Sequence, residues 1–327
     1  MKKYNWGIIG PGRIARKFTA GLKQLENARL HSVVSRSEER AEAFATEHGY
    51  SKAYGDYLAF ASDPELDIVY VATPHSHHHE HSLLCLRNGK AVLCEKPFAL
   101  NSLQLDEIIN AAMENKVFLM EALWPPFQPS YIKAREVIMD GRAGKVQYII
   151  SKFSFKAPYD PEGRAFNPEL AGGALLDIGI YPVMDALRFM GKPDNIETST
   201  VFAGTGVDES IAILFAYADG RGASLYSSFG NDGGISTEII CEKANISLGR
   251  GRDMIQHVKI EYACGDTEEF TYKPEGMGFQ YEAEEVMDCI DKGSKESAVV
   301  PLSFSRDLLA TLDRIRKKAG IIYPPEK

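Results

Sequence analysis

Three groups of residues in this 327-residue chain have types and spacing suited to chemistry. Lys96 closes the run Val92-Leu93-Cys94-Glu95 and precedes Pro97, so an apolar stretch that reads as a buried strand ends in charge. Parallel strands deliver ligand sites at such ends. A lysine held there loses hydration, deprotonates more easily and can meet a substrate oxygen as donor or proton acceptor. On these residues alone, a solvated loop lysine beside a turn proline would look the same. The second group is Asp177, Tyr181 and Asp185, which a helix would place on one face at i, i+4 and i+8. A phenol with an ordinary pKa of about 10 is a poor acid-base group until a nearby ammonium favours its phenolate. An isolated tyrosine at such a place serves equally well in a core with its hydroxyl satisfied.

The third group is histidine. His75, His77, His78, His79 and His81 are five of the eight in the chain, and His75/His79 and His77/His81 have the i, i+4 spacing of zinc-binding pairs, the second with Glu80 between. Zinc sites of this kind need a third protein ligand, and no H-E-x-x-H spacing or cysteine pair supplies one. The reading is therefore no physiological metal, with a cluster able to scavenge added nickel or zinc.

A dinucleotide site stands upstream. Trp6-Gly7-Ile8-Ile9 reads as a buried strand, Gly10-Pro11-Gly12-Arg13-Ile14-Ala15 as a turn of G-x-G-x-x-A form, and the stretch through Phe18 and Leu22 as a helix. The first glycine allows the tight turn, the second lets backbone approach a pyrophosphate, and the small third residue packs helix on strand. The helix N-terminus offers N–H groups to the anion. After the second strand, Leu30 to Val34, an NAD site would carry an acidic residue for the ribose hydroxyls, whereas this chain has Ser35-Arg36-Ser37. Arg36, helped by Arg40 one turn on, suits the 2′-phosphate of NADP. Ser35-Arg36-Ser37-Glu38 also fits a capping box.

The elements that must position these groups follow two rhythms. Strands alternate with helices as far as Val117-Phe118-Leu119-Met120, among them a strand at Asp67 to Ala72 and helices at Ser82 to Asn88 and Ser102 to Asn115. That is the pattern of a doubly wound parallel sheet, an N-terminal Rossmann domain. Beyond a helix at Tyr131 to Met139 and a strand at Val146 to Ile150, period-two alternation recurs from Asn195 to Tyr272. Ile211, Ile213, Phe215 and Tyr217 illustrate it, and the reading is a C-terminal α+β domain with a large, open, mostly antiparallel sheet. Helices at Gln280 to Asp291 and Ser303 to Lys318 finish the chain. The expected domains are 1–123 and 124–327.

Composition narrows the partners. The 37 basic and 45 acidic residues give a net charge of −8, and no Lys/Arg block marks a nucleic-acid footprint. Five dispersed cysteines without a C-x-x-C pair fit reduced thiols. The apolar run after Met1-Lys2-Lys3 ends at Gly10, too early for a signal h-region or a membrane span. A cytoplasmic protein with neither membrane nor nucleic-acid partners is expected.

Gly10-Pro11-Gly12-Arg13-Ile14-Ala15, Ala72-Thr73-Pro74-His75, Cys94-Glu95-Lys96-Pro97 and Gly173 through Tyr181 arrive in an order that resembles the Gfo/Idh/MocA family of oxidoreductases. Within it, Met120-Glu121-Ala122-Leu123-Trp124 and Tyr181 are similar to the branch of dimeric dihydrodiol dehydrogenases and NADP-dependent D-xylose dehydrogenases. The resemblance implies a dinucleotide-binding domain joined to an α/β domain, an active site in the cleft, and a homodimer formed through the open sheet. It makes Lys96, Tyr181 and Asp177 the catalytic set: Lys96 bonds substrate hydroxyl and nicotinamide ribose, Tyr181 transfers the proton, and Asp177 orients the sugar or diol. NADP contacts, with NAD as the alternative cofactor, fall to Gly10, Gly12, Arg13, Ile14, Ser35, Arg36 and Arg40. Thr73, Pro74, His75, His78, Glu95 and Lys96 complete that set. Trp124, Phe155, Asp177, Tyr181 and Phe279 are the substrate-binding candidates. Pro126 stands where relatives of this branch tend to have arginine, so one guanidinium contact is missing.

The function expected is hydride transfer between nicotinamide and a secondary hydroxyl of a sugar or cyclic diol. A non-catalytic NADP(H)-binding sensor and a metal-dependent hydrolase built on His75 to His81 are the alternatives.

Overall fold

The computed structural model of the chain describes residues 2–251 and 254–326. They divide into two compact units, one of residues up to Phe127 with Glu275–Arg306, the other of Gln128–Pro274 with Asp307 onward. This differs from the contiguous domains expected at 1–123 and 124–327, because the chain returns to the first unit after the second sheet. Long-range contacts hold it there: Tyr4 Oη donates to Asp291 at 2.6 Å, and Leu119 N–H bonds Lys295 O at 3.0 Å.

The first unit runs β1 (Tyr4–Ile9), α1 (Arg13–Leu22), β2 (Ala28–Val34), α2 (Glu38–His48), β3 (Lys52–Tyr54) and α3 (Tyr57–Ala61). It continues with β4 (Ile68–Val71), α4 (His78–Arg87), β5 (Ala91–Glu95), α5 (Ser102–Asn115) and β6 (Leu119–Ala122). All six strands pair in parallel in the order β3-β2-β1-β4-β5-β6, so the order reverses between β1 and β4. Ligands of doubly wound sheets bind at the carboxyl ends beside that reversal. Trp6, Phe18 and Tyr70 fill the core under it, Phe18 stacking on Tyr70 at 3.8 Å.

The second unit begins with α6 (Pro129–Met139) and β7 (Val146–Ser154), and reaches α7 (Ile180–Met190) through a π-helical turn, Leu175–Gly179. Pro182, lacking an N–H, is the third residue of α7, directly after the π-helical turn. Seven strands follow: β8 (Asn195–Phe202), β9 (Asp208–Ala216), β10 (Gly222–Ser228), β11 (Gly234–Cys241), β12 (Ala244–Arg250), β13 (Gln256–Tyr262) and β14 (Thr267–Tyr272). Their order with β7 is β14-β13-β12-β11-β7-β10-β9-β8, antiparallel except at β7/β10. The alternation read from sequence is real: Ile211, Ile213, Phe215, Leu225, Val258 and Ile260 are buried on the helix side. Helix α7 is tied to that side through Asp185, which accepts from Ser151 Oγ at 2.9 Å and Thr237 Oγ1 at 2.6 Å. Pro168–Met190 is long and apolar enough to span a bilayer, but 89% of its 18-residue apolar stretch is buried, as in a core helix. Helices α8 (Gln280–Asp291) and α9 (Leu302–Ala319) close the chain.

Candidate active site

In the first unit the predicted cofactor residues sit where four strands end, β1, β2, β4 and β5. Gly10 follows β1 with φ +88°, and a Cβ added there would lie 2.9 Å from Ala72 O and from Thr73 Cγ2. The turn therefore demands glycine. At Gly12 a Cβ would meet only Gly10 O at 3.9 Å, so the backbone is open to a ligand. Gly12 is also the N-cap of α1 and contributes no side-chain acceptor, and the first turn holds no acidic residue. Arg13 and Ile14 thus present N–H groups of a helix start to an anion, which fits a pyrophosphate.

Ser35 follows β2 and is buried, while Arg36 and Arg40 are exposed. The capping box expected from Ser35 is displaced by two residues: Ser37 is the N-cap of α2 and accepts from Arg40 N–H at 3.3 Å. Ser37 Oγ donates to Glu39 at 2.6 Å and holds that carboxyl below its ordinary range. Among the described residues neither Arg36 nor Arg40 forms an ion pair, so both guanidinium groups suit a 2′-phosphate.

Lys96 follows β5, and its loop is braced from several sides. Its backbone N–H meets Glu95 Oε2 at 3.2 Å, Tyr70 Oη donates to Glu95 Oε1, and Phe98 N–H donates to Glu121 Oε1 at 3.1 Å. Glu121 is buried, which pushes its carboxyl up to about 7. His78 joins this loop to the one after β4: its Nδ1 lies 2.7 Å from Pro97 O and its Nε2 2.9 Å from Thr73 O. Burial pushes the imidazole down to about 4 while both carbonyls pull the other way. The neutral ring donates to one of these carbonyls and turns its other nitrogen to the second, whereas a cofactor contact was expected of His78. His75 is buried at the start of a 3-10 turn, 5.8 Å from the His78 ring.

That turn also breaks the imagined metal helix, because α4 begins only at His78 and leaves His75 and His77 outside it. His77 pairs with Glu80 at 2.6 Å, His79 with Glu107 at 2.8 Å, and His81 Nδ1 lies 3.2 Å from Thr73 Oγ1. His81 Nε2 also lies 3.8 Å from the Glu80 oxygen that His77 binds, while His79 turns to Glu107, so the rings do not converge on one point. Among the described residues the three metal-type donors that gather within 4.8 Å are His31, Asp63 and Glu65, and Lys52 already bridges Asp63 and Glu65. Trp124 and Phe279, expected to line the substrate, are buried in this same unit with ring centroids 5.9 Å apart.

The second unit holds the remaining candidates. Asp177 lies on the π-helical turn and Tyr181 on α7, so they are not on one continuous α-helix, although Tyr181 and Asp185 are. Asp177 is buried, and Arg164 grips it with two bonds, Nη1 to Oδ1 at 2.7 Å and Nη2 to Oδ2 at 2.9 Å. Tyr181 packs on Phe153 at 5.6 Å, and Phe155 packs on Phe229 at 5.4 Å. Beneath the loop carrying Arg164, a cluster of Phe166, Ala174, Ile178, Val207 and Phe229 fixes both loop and π turn.

Two functional candidates escaped the sequence reading. Arg164 sits in a polar loop with no periodic signal. Arg250 ends β12 and acts on Tyr181 electrostatically; the alternation Ile246, Leu248, Arg250 was the available clue.

The comparisons agree with this arrangement. A family model described as "Oxidoreductase family, NAD-binding Rossmann fold" matches residues 4–123, and one described as "GFO/IDH/MocA C-terminal domain" matches residues 131–247. The chain is 37% identical to trans-1,2-dihydrobenzene-1,2-diol dehydrogenase of Xenopus laevis, covering 98% of this chain and 99% of that protein. It is 35% identical to the protein of that name in Homo sapiens, covering 98% of each. Two solved structures share the fold over 98% of each chain. These are an aldose-aldose oxidoreductase from Caulobacter crescentus with glycerol, at 24% identity and TM-score 0.87, and a levoglucosan dehydrogenase with NADH and levoglucosan, at 19% and 0.87. With both family models matched in order and relatives aligned from end to end, the chain belongs to the Gfo/Idh/MocA family of oxidoreductases.

Proposed function

We propose that this protein is an NADP-preferring dehydrogenase that interconverts a secondary alcohol and a ketone on a sugar or cyclic diol. The observation that carries this is full-length similarity to dihydrodiol dehydrogenases in a chain that also keeps Lys96, Asp177 and Tyr181. The solved sugar oxidoreductases of the same fold support the substrate class.

When bound, the nicotinamide supplies the hydride acceptor or donor. The pyrophosphate is held by the Gly10–Ile14 turn, and the 2′-phosphate by Arg36 and Arg40 with Ser35 behind them. In the oxidative direction the carbinol C–H pair of electrons leaves as hydride, the O–H proton passes to Tyr181, and the C–O bond becomes C=O. Lys96 donates to the substrate oxygen and holds it for that transfer. Asp177, kept ionised and oriented by Arg164, receives a neighbouring substrate hydroxyl. The bracing around Lys96 holds its loop in place within the first unit before substrate arrives, as efficient proton transfer requires of a positioning group.

We also infer a cytoplasmic homodimer without nucleic-acid or membrane partners. Ile150, Leu214 and Val201 lie on the sheet face away from α7 and are 46%, 53% and 58% exposed, an apolar surface suited to a second copy. All five cysteines are unpaired and four are buried, which fits a reducing compartment. Light scattering of L214E against the parent tests the dimer: a monomer is expected, and an unchanged mass removes that face from the interface.

The test of the reaction is a panel of pentoses, hexoses, inositols and aromatic dihydrodiols with NADP+ and NAD+, read as nicotinamide reduction near ~340 nm. Turnover on at least one polyol, abolished in K96A, is expected. Full turnover in K96A removes Lys96 from the mechanism, and silence across the panel despite tight NADP(H) binding leaves a sensor.

A further inference from the structure

Arg250 is a cation on the helix-covered face of the second sheet. Phe153 of β7 pairs with Ile235 of β11, and the β11/β12 register, Thr237 with Leu248 and Ser236 with Gly249, continues to Ile235 with Arg250. Residues directly opposite share a face. Phe153, Ile235 and Arg250 therefore form one row, and Ser151, Thr237 and Leu248 form the next. Asp185 of α7 bonds Ser151 and Thr237 in that second row, so Tyr181, one helical turn earlier, falls over the first. The Tyr181 ring sits 5.6 Å from Phe153 accordingly. Two strand spacings, about 10 Å, separate the Phe153 and Arg250 backbones, a gap that a long arginine crosses toward the phenol.

We propose that Arg250 is a positioning residue for proton transfer at Tyr181, its guanidinium supplying the positive charge that favours the phenolate. The proposal rests on the reading of Tyr181 as the proton-transfer group. Burial pushes Arg250 below its ordinary range, and Tyr181 is the group that acts against that push. A half-buried cation loses part of its hydration, and a phenolate facing it offsets part of that cost.

The other charges near Tyr181 do not substitute for it. On its own helical run stand Asp177, neutralised by the bidentate Arg164 from the preceding loop, and Asp185, whose carboxyl is taken by Ser151 and Thr237 and pushed up to about 6 by burial. Arg188 lies two turns on and is acted upon by Tyr131 and Arg135 of α6. The sheet face beneath presents Ile149, Ser151 and Phe153 from β7, Ile235 and Thr237 from β11, and Leu225 and Ser227 from β10, none of them titratable in the working range. Asp177 and Arg164 cancel, which leaves Arg250 as the net charge among these groups of the second unit.

The test uses the full-length protein with NADP+ bound and carbon-13 at tyrosine Cζ, the Tyr181 resonance being assigned by its loss in Y181F. The parent is expected to titrate below the ordinary tyrosine value of about 10, R250K within a few tenths of the parent, and R250Q at least about one pH unit higher. A parent midpoint at or above about 10, or an R250Q midpoint equal to the parent, overturns the proposal. Should R250Q fail to fold, R250M keeps the stem and removes the charge, and the same shift decides. Turnover of trans-1,2-dihydrobenzene-1,2-diol and D-xylose by Y181F separates the two readings. Retained turnover sinks Tyr181 as the proton carrier, whereas lost turnover with an unmoved R250Q midpoint sinks Arg250 alone.

Discussion

The two units present their reactive groups by different means. In the first, every cofactor candidate follows the carboxyl end of a parallel strand, and the loops are anchored through backbone: His78 lies between Thr73 O and Pro97 O, and Phe98 N–H rests on Glu121. In the second, Asp177 and Tyr181 ride on a helical run across a largely antiparallel sheet, and side chains do the anchoring. Arg164 clasps Asp177, and Ser151 with Thr237 hold Asp185. A loop held by its backbone accepts changes in many side chains but few in geometry. A helix held by side-chain contacts depends on each partner. The first arrangement suits a cofactor common to many substrates, and the second suits a site whose substrate varies.

The largest effects should separate chemistry from cofactor binding along that division. Y181F is expected to lower kcat by about a hundred- to ten-thousand-fold, the usual worth of positioned proton transfer, with the NADP(H) dissociation constant unchanged. Equal loss of both in steady-state and fluorescence titrations would erase the distinction between units. R36A/R40A should do the reverse. Removing two charge-assisted contacts is expected to weaken NADP+ by about ten- to a hundredfold or more, and to leave NAD+ binding within about twofold. Equal weakening of both cofactors would move the 2′-phosphate elsewhere. Smaller still is H78A, which strips a buried carbonyl of its imidazole donor at a cost of about 1–3 kcal/mol. The melting temperature should fall by several degrees while NADP+ affinity at low temperature changes little. A large affinity loss in a protein of parental stability would return His78 to the cofactor.

How far the sequence revealed this depends on whether a feature is local. Helix α5 was legible to the residue, because Asn101 caps it by accepting from Gln104 N–H and Lys116 ends it in the left-handed region. So was α8, from its periodicity. Strand β6 was placed two residues early, since its end contains Glu121, a carboxylate that does not read as buried yet is. The return of Glu275–Arg306 to the first unit had no local signal at all. In the candidate site, Gly10, Gly12 and Lys96 announced themselves because turn chemistry and strand ends are local. The spacing of Asp177 and Tyr181 was visible, but not the π-helical turn between them. The partners that define their electrostatics, Arg164 and Arg250, come from a loop and from a strand end, and only the folded sheet register brings Arg250 to that helix.

The smallest expected effect compares one buried carboxyl from each unit. Asp208 Oδ2 accepts from Leu175 N–H at 2.6 Å, as Glu121 accepts from Phe98 N–H, so each steadies the backbone of a functional segment. Burial pushes Asp208 up to about 7 from 3.8, and Glu121 up to about 7 from 4.5. Between those unfolded and folded values the native state holds a proton that the unfolded chain has lost. Stability from each group is therefore full below pH ~4, falls as pH rises toward ~7, and levels off above. D208N and E121Q keep an acceptor oxygen and remove the titration. Relative to the parent, each should gain about 2–3 kcal/mol between about pH 5 and 8 in urea unfolding, the background from other groups cancelling in the difference. A gain in E121Q without one in D208N would mean that backbone anchoring through a protonated carboxyl is confined to the first unit, which is where the contrast between the two would then be sharpest.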